Sequence, residues 1–374
     1  MSALRLVELA PAGARRGPPS LAALAGAVAG LENDDALVLR EGSVARAGRD
    51  HAIVTGLGPA LLPGDLLEIG DAIALVDTSA PDGVRAIPDR SVRPSTPVRS
   101  VPRAIIRPDA SWRGRTLDAR LQPLDGSPPP RPAYPRTGGR GTTVAREVTI
   151  GHAALDTLCA PRSGEVWAVV GPAGCGRTQL LEIAAHAERD DSVVRAALSP
   201  RRREVARMLT RPNATGPTIL GTRMDGPAVA LHTLRTAIEA AAWLAGSDED
   251  GETLLLVDNA ERVPSLPLRD AVRTASESGA CVLLALREPP DWVDGAVHLT
   301  SASRADAMPA PDWHATLASS PPPDDRAARA AGALRALAAE GPLPGDLACL
   351  LAGRPGDALS IEAIETALGL GPIA

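Results

Sequence analysis

The octapeptide GPAGCGRT (171–178) gathers residue types that can grip a phosphate. Gly171, Gly174 and Gly176 let the backbone curl so that successive N–H groups face anionic oxygens. A helix starting at this point adds the partial positive charge of its N-terminus. Arg177 brings a full charge, and the hydroxyl of Thr178 suits a magnesium ion. With Cys175 and Gln179 these residues form the candidate phosphate-binding set. The pattern is G-x-x-x-x-G-K-[ST] with Arg in place of Lys. The two cations are not equivalent, because Lys is a compact point charge and guanidinium a wide planar fork. Asp258 closes the run LLLVD (254–258). A carboxylate at the C-terminal end of a parallel strand lies beside such a loop and can hold magnesium through water. The competing reading is a Gly-rich strand-to-helix turn that binds nothing. Cys175 is either a reactive thiol near a helix N-terminus or a small packed one.

Elements of the right kind flank these residues. EVWAVV (165–170) reads as a buried strand, and QLLEIAAHAER (179–189) as the helix after the loop. SVVRAAL (192–198), ETLLLVD (252–258) and ACVLLAL (280–286) read as further strands. AVALHTLRTAIEAAAWLA (228–245) and LPLRDAVRTASESG (266–279) read as helices between them. Alternation of this kind implies an α/β core with a mainly parallel sheet. Upstream, four short alternating segments within 36–87 suggest a small β-barrel. The expected division is an N-terminal region at 1–95, a Pro-rich connector at 96–145, a nucleotide-binding core at 146–320 and a short helical domain at 321–374.

Composition narrows the classes. The 374 residues carry 39 basic and 45 acidic side chains, a net charge of −6, and every basic one is Arg. There is no Phe and one Tyr, so the core must be built from Ala, Leu, Val and Ile with five Trp. We read this as drift toward GC-rich codons. The acidic balance speaks against a nucleic-acid partner. Four scattered Cys, with no metal-type spacing of Cys or of the six His, argue for a reducing compartment and against a zinc site. LAALAGAVAGL (21–31), just after Arg15-Arg16, imitates an export signal but is too short to span a bilayer. A short helix or linker is the simpler reading. The Arg201–Arg203 run offers phosphate contacts or a solvated loop, the loop being the simpler reading, and His186 with Glu182 reads as a surface pair on one helix face rather than a ligand set.

Taken in order, several segments resemble the rotary ATPase family, which includes ATP synthase alpha and beta subunits and the flagellar and type III export ATPases. GRTLDARLQPLDGSPP (114–129) is similar to the family connector G-R-x-L-D-x-x-x-x-P-L-D-G. VTIGHAALDTLCAPRSGEVWAVVGPAGCGRTQLL (148–181) follows the family's approach to the phosphate loop. RRREV (201–205) resembles the end of G-E-R-G-R-E-V, and LLLVDNAER (254–262) resembles L-L-L-x-D-S-L-T-R. GTRMDGPAVALHTLRTAIEAAAWLAG (221–246) and DGAVHLTSASRADAMPAPDWHATLASS (294–320) resemble the helix and the finger-bearing turn that come next. The resemblance, over about 35–340, implies a RecA-like P-loop core behind a small β-barrel. It also implies ATP or ADP with Mg²⁺ as cofactor, with Thr178 and Asp258 on the magnesium, Glu204 and Arg262 around them, and an oligomeric, cytoplasmic subunit that meets a membrane only through a larger complex.

Three departures bear on activity. Pro200 aligns with the Glu that activates water in catalytic members, Ser319 with the arginine finger, and Arg177 with the loop Lys. A finger is worth about 10³–10⁵ in rate, or roughly 4–7 kcal/mol of barrier. The long loop that follows D-S-L-T-R in the family also looks missing. The resemblance therefore implies a degenerate, non-catalytic or weakly active subunit that partners an active paralogue. The alternatives are an active Mg-ATP hydrolase, with Glu204 or Asp225 in place of the lost acid, and a Rho-like RNA translocase. The absence of Phe, Tyr and Trp from residues 1–111 disfavours the last.

Overall fold

A computed structural model describes residues 41–48, 51–57, 61, 65–80, 82–88, 90–100, 108, 110–119, 121–128, 146–187, 192–212, 215–221, 227–247, 253–300, 309–353 and 358–371. The segment 21–31 and Asp225 lie outside them. The chain forms two compact units, Met1–Ile105 and Ile106–Ala374.

The first unit is a closed antiparallel barrel. Its strands are β1 (Glu41–Ala47), β2 (Ala52–Thr55), β3 (Leu66–Ile69), β4 (Ala72–Ala80), β5 (Gly83–Pro88) and β6 (Pro97–Ser100). They run in the order β1-β2-β5-β4-β3-β6, and β6 pairs back onto β1. Its interior is filled by small aliphatics such as Val44, Val54, Leu67, Ile69, Val84 and Val98. The sequence reading ends the strands at 87 and gives 97–100 to the connector, because Pro weakens a strand interior. Pro97 escapes that objection as the first residue of β6, where its missing N–H breaks no ladder bond.

The second unit is built on a seven-stranded parallel sheet of β7 (Thr116–Asp118), β8 (Val166–Val170), β9 (Ser192–Ala197), β10 (Thr218–Leu220), β11 (Thr253–Asp258), β12 (Cys281–Leu286) and β13 (Gly295–His298). Their order is β13-β8-β12-β11-β9-β10-β7. Strands β8, β11 and β12 are buried along their whole length, which is why they read as unbroken apolar runs. The helices are α1 (Ala153–Leu158), α2 (Arg177–His186), α3 (Arg202–Thr210), α4 (Pro227–Ser247), α5 (Ser265–Glu277), α6 (Trp313–Ser319), α7 (Asp325–Glu340), α8 (Gly345–Ala352) and α9 (Ile361–Ala367). The last three pack through Leu334, Leu347, Leu351 and Ile364 onto the same core as Leu155 and Trp167.

The connector motif owes its shape to one ion pair. Arg115 Nε donates to Asp125 Oδ2 at 2.9 Å, and its Nη2 to Asp125 Oδ1 at 3.3 Å. The same carboxylate accepts the backbone N–H groups of Thr116 and Ser127. Asp118 accepts from the N–H of Gln122, and Leu117 is fully buried. The loop is folded back so that β7 can pair with β10 at the sheet edge.

His152, just before α1, is buried edge-on to Trp313 with ring centroids 6.3 Å apart. Burial pushes its pKa down to about 4 from 6.5. The neutral ring is thus favoured by folding, so its contribution is complete above pH 6.5 and is lost as pH falls toward 4. At 1.36 kcal/mol per pH unit that loss reaches about 3 kcal/mol. His152→Met is expected to resist this acid loss relative to the wild type. Parallel stability–pH curves from urea unfolding would refute the expectation.

Candidate functional site

Strand β8 runs directly into the loop 171–176, and the loop into α2. Gly171 has φ +151°, and a Cβ there would sit 2.7 Å from both Cys175 Sγ and the Leu299 carbonyl oxygen. Only Gly lets the loop turn this close to the strand beside it. Gly176 is left-handed (φ +101°) and caps α2, while a Cβ at Gly174 would meet nothing within 4 Å. The loop is therefore tight on the protein side and open at Gly174. Cys175 is buried, which makes it the packed thiol of the two readings. Gln179 follows in the first turn of α2, and its Oε1 would lie 3.7 Å from a Cβ on Gly176.

Asp258 ends β11 and is 2 % exposed. Its Oδ1 accepts a hydrogen bond from Thr178 Oγ1 at 3.1 Å, across 80 residues of sequence. Its Oδ2 is buried and has no hydrogen-bond partner among the described residues. Burial pushes the carboxyl up to about 6, against the pull of Thr178 and of the Arg195 charge. Strand β12 lies between β8 and β11, so the two site strands are not neighbours, and Thr178 reaches Asp258 from the start of α2.

The sequence reading missed Arg195, which carries part of the local charge. In the register of β9 and β11, Arg195 faces Leu256 and Ala197 faces Asp258. Side chains two apart share a sheet face, so Arg195 and Asp258 lie on one face. Arg195 is 2 % exposed, and Glu182 of α2 stands 3.7 Å from its Nη2. An Arg inside the apolar run SVVRAAL was the available signal. Glu204, at the third position of α3, is occupied as a cap and accepts from the Arg201 N–H at 2.6 Å. It also raises the proton affinity of Asp258 through its charge. Arg262 is exposed, with no ion pair to the cluster among the described residues.

Comparison with known proteins gives the chain two relatives. The chain is 26 % identical to the flagellum-specific ATP synthase of Rhizobium meliloti over 291 residues, 69 % of this chain and 59 % of that protein. It is 28 % identical to the flagellum-specific ATP synthase of Caulobacter vibrioides over 197 residues, 47 % of this chain and 42 % of that protein. The chain is a relative of the rotary and export ATPases. It spans less than two thirds of the length of either relative, and no family model matches it.

The positions that the resemblance expects to be altered have clear surroundings. Ser199 holds a left-handed backbone, φ 59°, where the pattern has Gly. Pro200 follows it and is buried, with no side-chain acceptor. Ser319 closes α6, donating to the Ala315 carbonyl at 2.8 Å and lying 3.1 Å from His298 Nε2. Two residues separate the 3₁₀ turn Ala260–Arg262 from α5, so β11 passes almost directly into the next helix. Arg202 and Arg203 lie exposed on α3 rather than in a loop. His186 lies 2.8 Å from the Glu182 carbonyl oxygen within its own helix.

Proposed function

We propose that the chain is a rotary- or export-ATPase-like subunit that binds ATP or ADP with Mg²⁺ and has little or no hydrolytic activity of its own. The observation that carries the binding reading is the Thr178–Asp258 contact of 3.1 Å beside the Gly-rich loop. The donor set fits a magnesium nucleotide. A hydroxyl and a buried carboxylate oxygen without a partner suit the ion, and the opening at Gly174 with the Arg177 guanidinium suits phosphate oxygens. Magnesium, when bound, would neutralise phosphate charge, with Thr178 contacting it directly and Asp258 through water. Arg177 and the loop N–H groups would orient the phosphates, with Gln179 at the helix start beside them.

Pro200 and Ser319 support the inactive half of the reading, since Pro200 has no acceptor to activate water and Ser319 has no positive charge to offer a transferring phosphoryl group. We assign the chain a place in a homo- or hetero-oligomer, with an active paralogue as the favoured partner. No nucleic acid is expected. No helix among the described residues is long and apolar enough to cross a membrane. Contact with a membrane would run through a larger complex on its cytoplasmic side. The division into an N-terminal barrel region, a connector, a nucleotide-binding core and a helical C-terminal domain belongs to the same proposal.

The test is a calorimetric titration with Mg-ATP and Mg-ADP beside a turnover assay. The wild type is expected to bind, and Thr178→Ala to weaken Mg-ATP binding at least tenfold. No binding at millimolar nucleotide would defeat the reading. A hydrolase reading has one observation in its favour, the charge of Glu204 acting at Asp258. Steady turnover that disappears in Asp258→Ala and falls in Glu204→Gln would establish it instead.

A further inference from the structure

Three loops leave the C-terminal ends of the neighbouring strands β8, β12 and β11. Each contributes one charged side chain to a single cluster: Arg177 after β8, Arg287 after β12, and Glu261 after β11. Glu261 Oε1 stands 3.8 Å from Arg177 Nη2 and 3.8 Å from Arg287 Nε. One carboxylate oxygen thus serves two guanidinium groups. Both separations exceed hydrogen-bond length, so neither pair has the bidentate geometry that makes an Arg–carboxylate pair strong. Arg177 Nη1 is buried and finds no hydrogen-bond partner among the described residues. Its side chain is 14 % exposed, that of Glu261 26 %, and that of Arg287 78 %. The loop cation is therefore sheltered and under-satisfied, its anion is reachable from solvent, and the second cation is exposed.

We propose that Glu261 is a resident anion on the phosphate-loop guanidinium, and that a polyphosphate binds by displacing it, with Arg287 as a second guanidinium for the incoming group. The inference rests on the nucleotide-binding reading above and adds the residue that opposes binding. A phosphate brings more charge and more acceptor oxygens than one carboxylate, and it can satisfy the Arg177 donors that Glu261 leaves unpaired. The displaced Glu261 meets water, at little cost for a side chain already part exposed.

Glu261→Gln keeps the shape and removes the competing charge. Calorimetric titration with Mg-ATP, and with inorganic tripolyphosphate as a base-free probe, is expected to show about tenfold tighter binding in Glu261→Gln than in the wild type. Arg177→Ala should remove that gain, so that the double variant binds no tighter than Arg177→Ala alone. In the Glu261→Gln background, Arg287→Ala should weaken binding at least threefold. Circular dichroism melts establish that each variant is folded. Unchanged or weaker binding in Glu261→Gln, beside a wild type that does bind, overturns the resident-anion role and leaves nucleotide binding standing. No binding by any variant at millimolar ligand overturns both. An unaltered affinity in the Arg287→Ala variant removes the second guanidinium.

Discussion

Asp125→Ala is expected to destabilise the Ile106–Ala374 unit by about 1–3 kcal/mol, the range for leaving hydrogen-bond donors of a half-buried site without their acceptor. The Arg115 and Asp125 side chains are 12 % and 17 % exposed, so water cannot replace the lost carboxylate fully. The substitution removes two bonds from Arg115 and leaves the N–H groups of Thr116 and Ser127 without their acceptor. It also frees the turn that keeps β7 on the sheet. The bidentate Arg115 pair, with the two backbone donors, holds the Asp125 carboxyl far below the usual carboxylate range. Its contribution is thus complete above about pH 4 and is lost as pH falls further. Urea unfolding at pH 7 gives the magnitude. Replacing both partners by apolar residues should recover the part of the loss that comes from the unpaired guanidinium, but not the part from the Thr116 and Ser127 N–H groups. A loss below 1 kcal/mol in Asp125→Ala would show that the connector is not held by this pair.

Asp258→Asn is expected to act in the opposite direction on the ligand-free protein. The carboxylate is 2 % exposed and one of its oxygens has no partner among the described residues. Burial lifts its pKa from 3.8 to about 6. Keeping the group ionised at pH 8 therefore costs about 3 kcal/mol relative to the unfolded chain. For a raised carboxyl the cost is full above pH 6 and vanishes as pH falls from 6 to 4. The amide keeps an acceptor for Thr178 and carries no charge. Thermal melts should show Asp258→Asn well above the wild type at pH 8 and close to it at pH 4.5. Under the proposed function the same variant loses magnesium-dependent nucleotide affinity, so stability and binding move in opposite senses. Equal melting temperatures at pH 8 would mean that the site tolerates the charge without strain.

Much of the core was legible because burial on both faces leaves unbroken apolar runs. VWAVV, TLLLVD and CVLLAL stand out in an otherwise mixed chain, and the Gly-rich loop follows the first of them. Long helices such as α4 and α7 were visible for the related reason that their apolar residues recur at helical spacing. Strand β6 was hidden because Pro97 reads as a breaker, and only its place at the strand start makes it harmless. Strand β7 was hidden because three residues carry no periodicity. Its existence depends on the parallel partner β10, about a hundred residues away.

The site divides along the same line. The amino-acid sequence by itself determined the local parts: glycines that can turn, a hydroxyl at a helix start, and a carboxylate at a strand end. These depend on residue type and near neighbours. Which charges meet was decided only in three dimensions. Strand order brings the ends of β8, β12 and β11 together, register puts Arg195 on the face of Asp258, and one loop end sets Glu261 between two guanidinium groups. The physical reason is range: backbone preference acts over a few residues, whereas ion pairing and desolvation depend on distances that only the packed sheet defines.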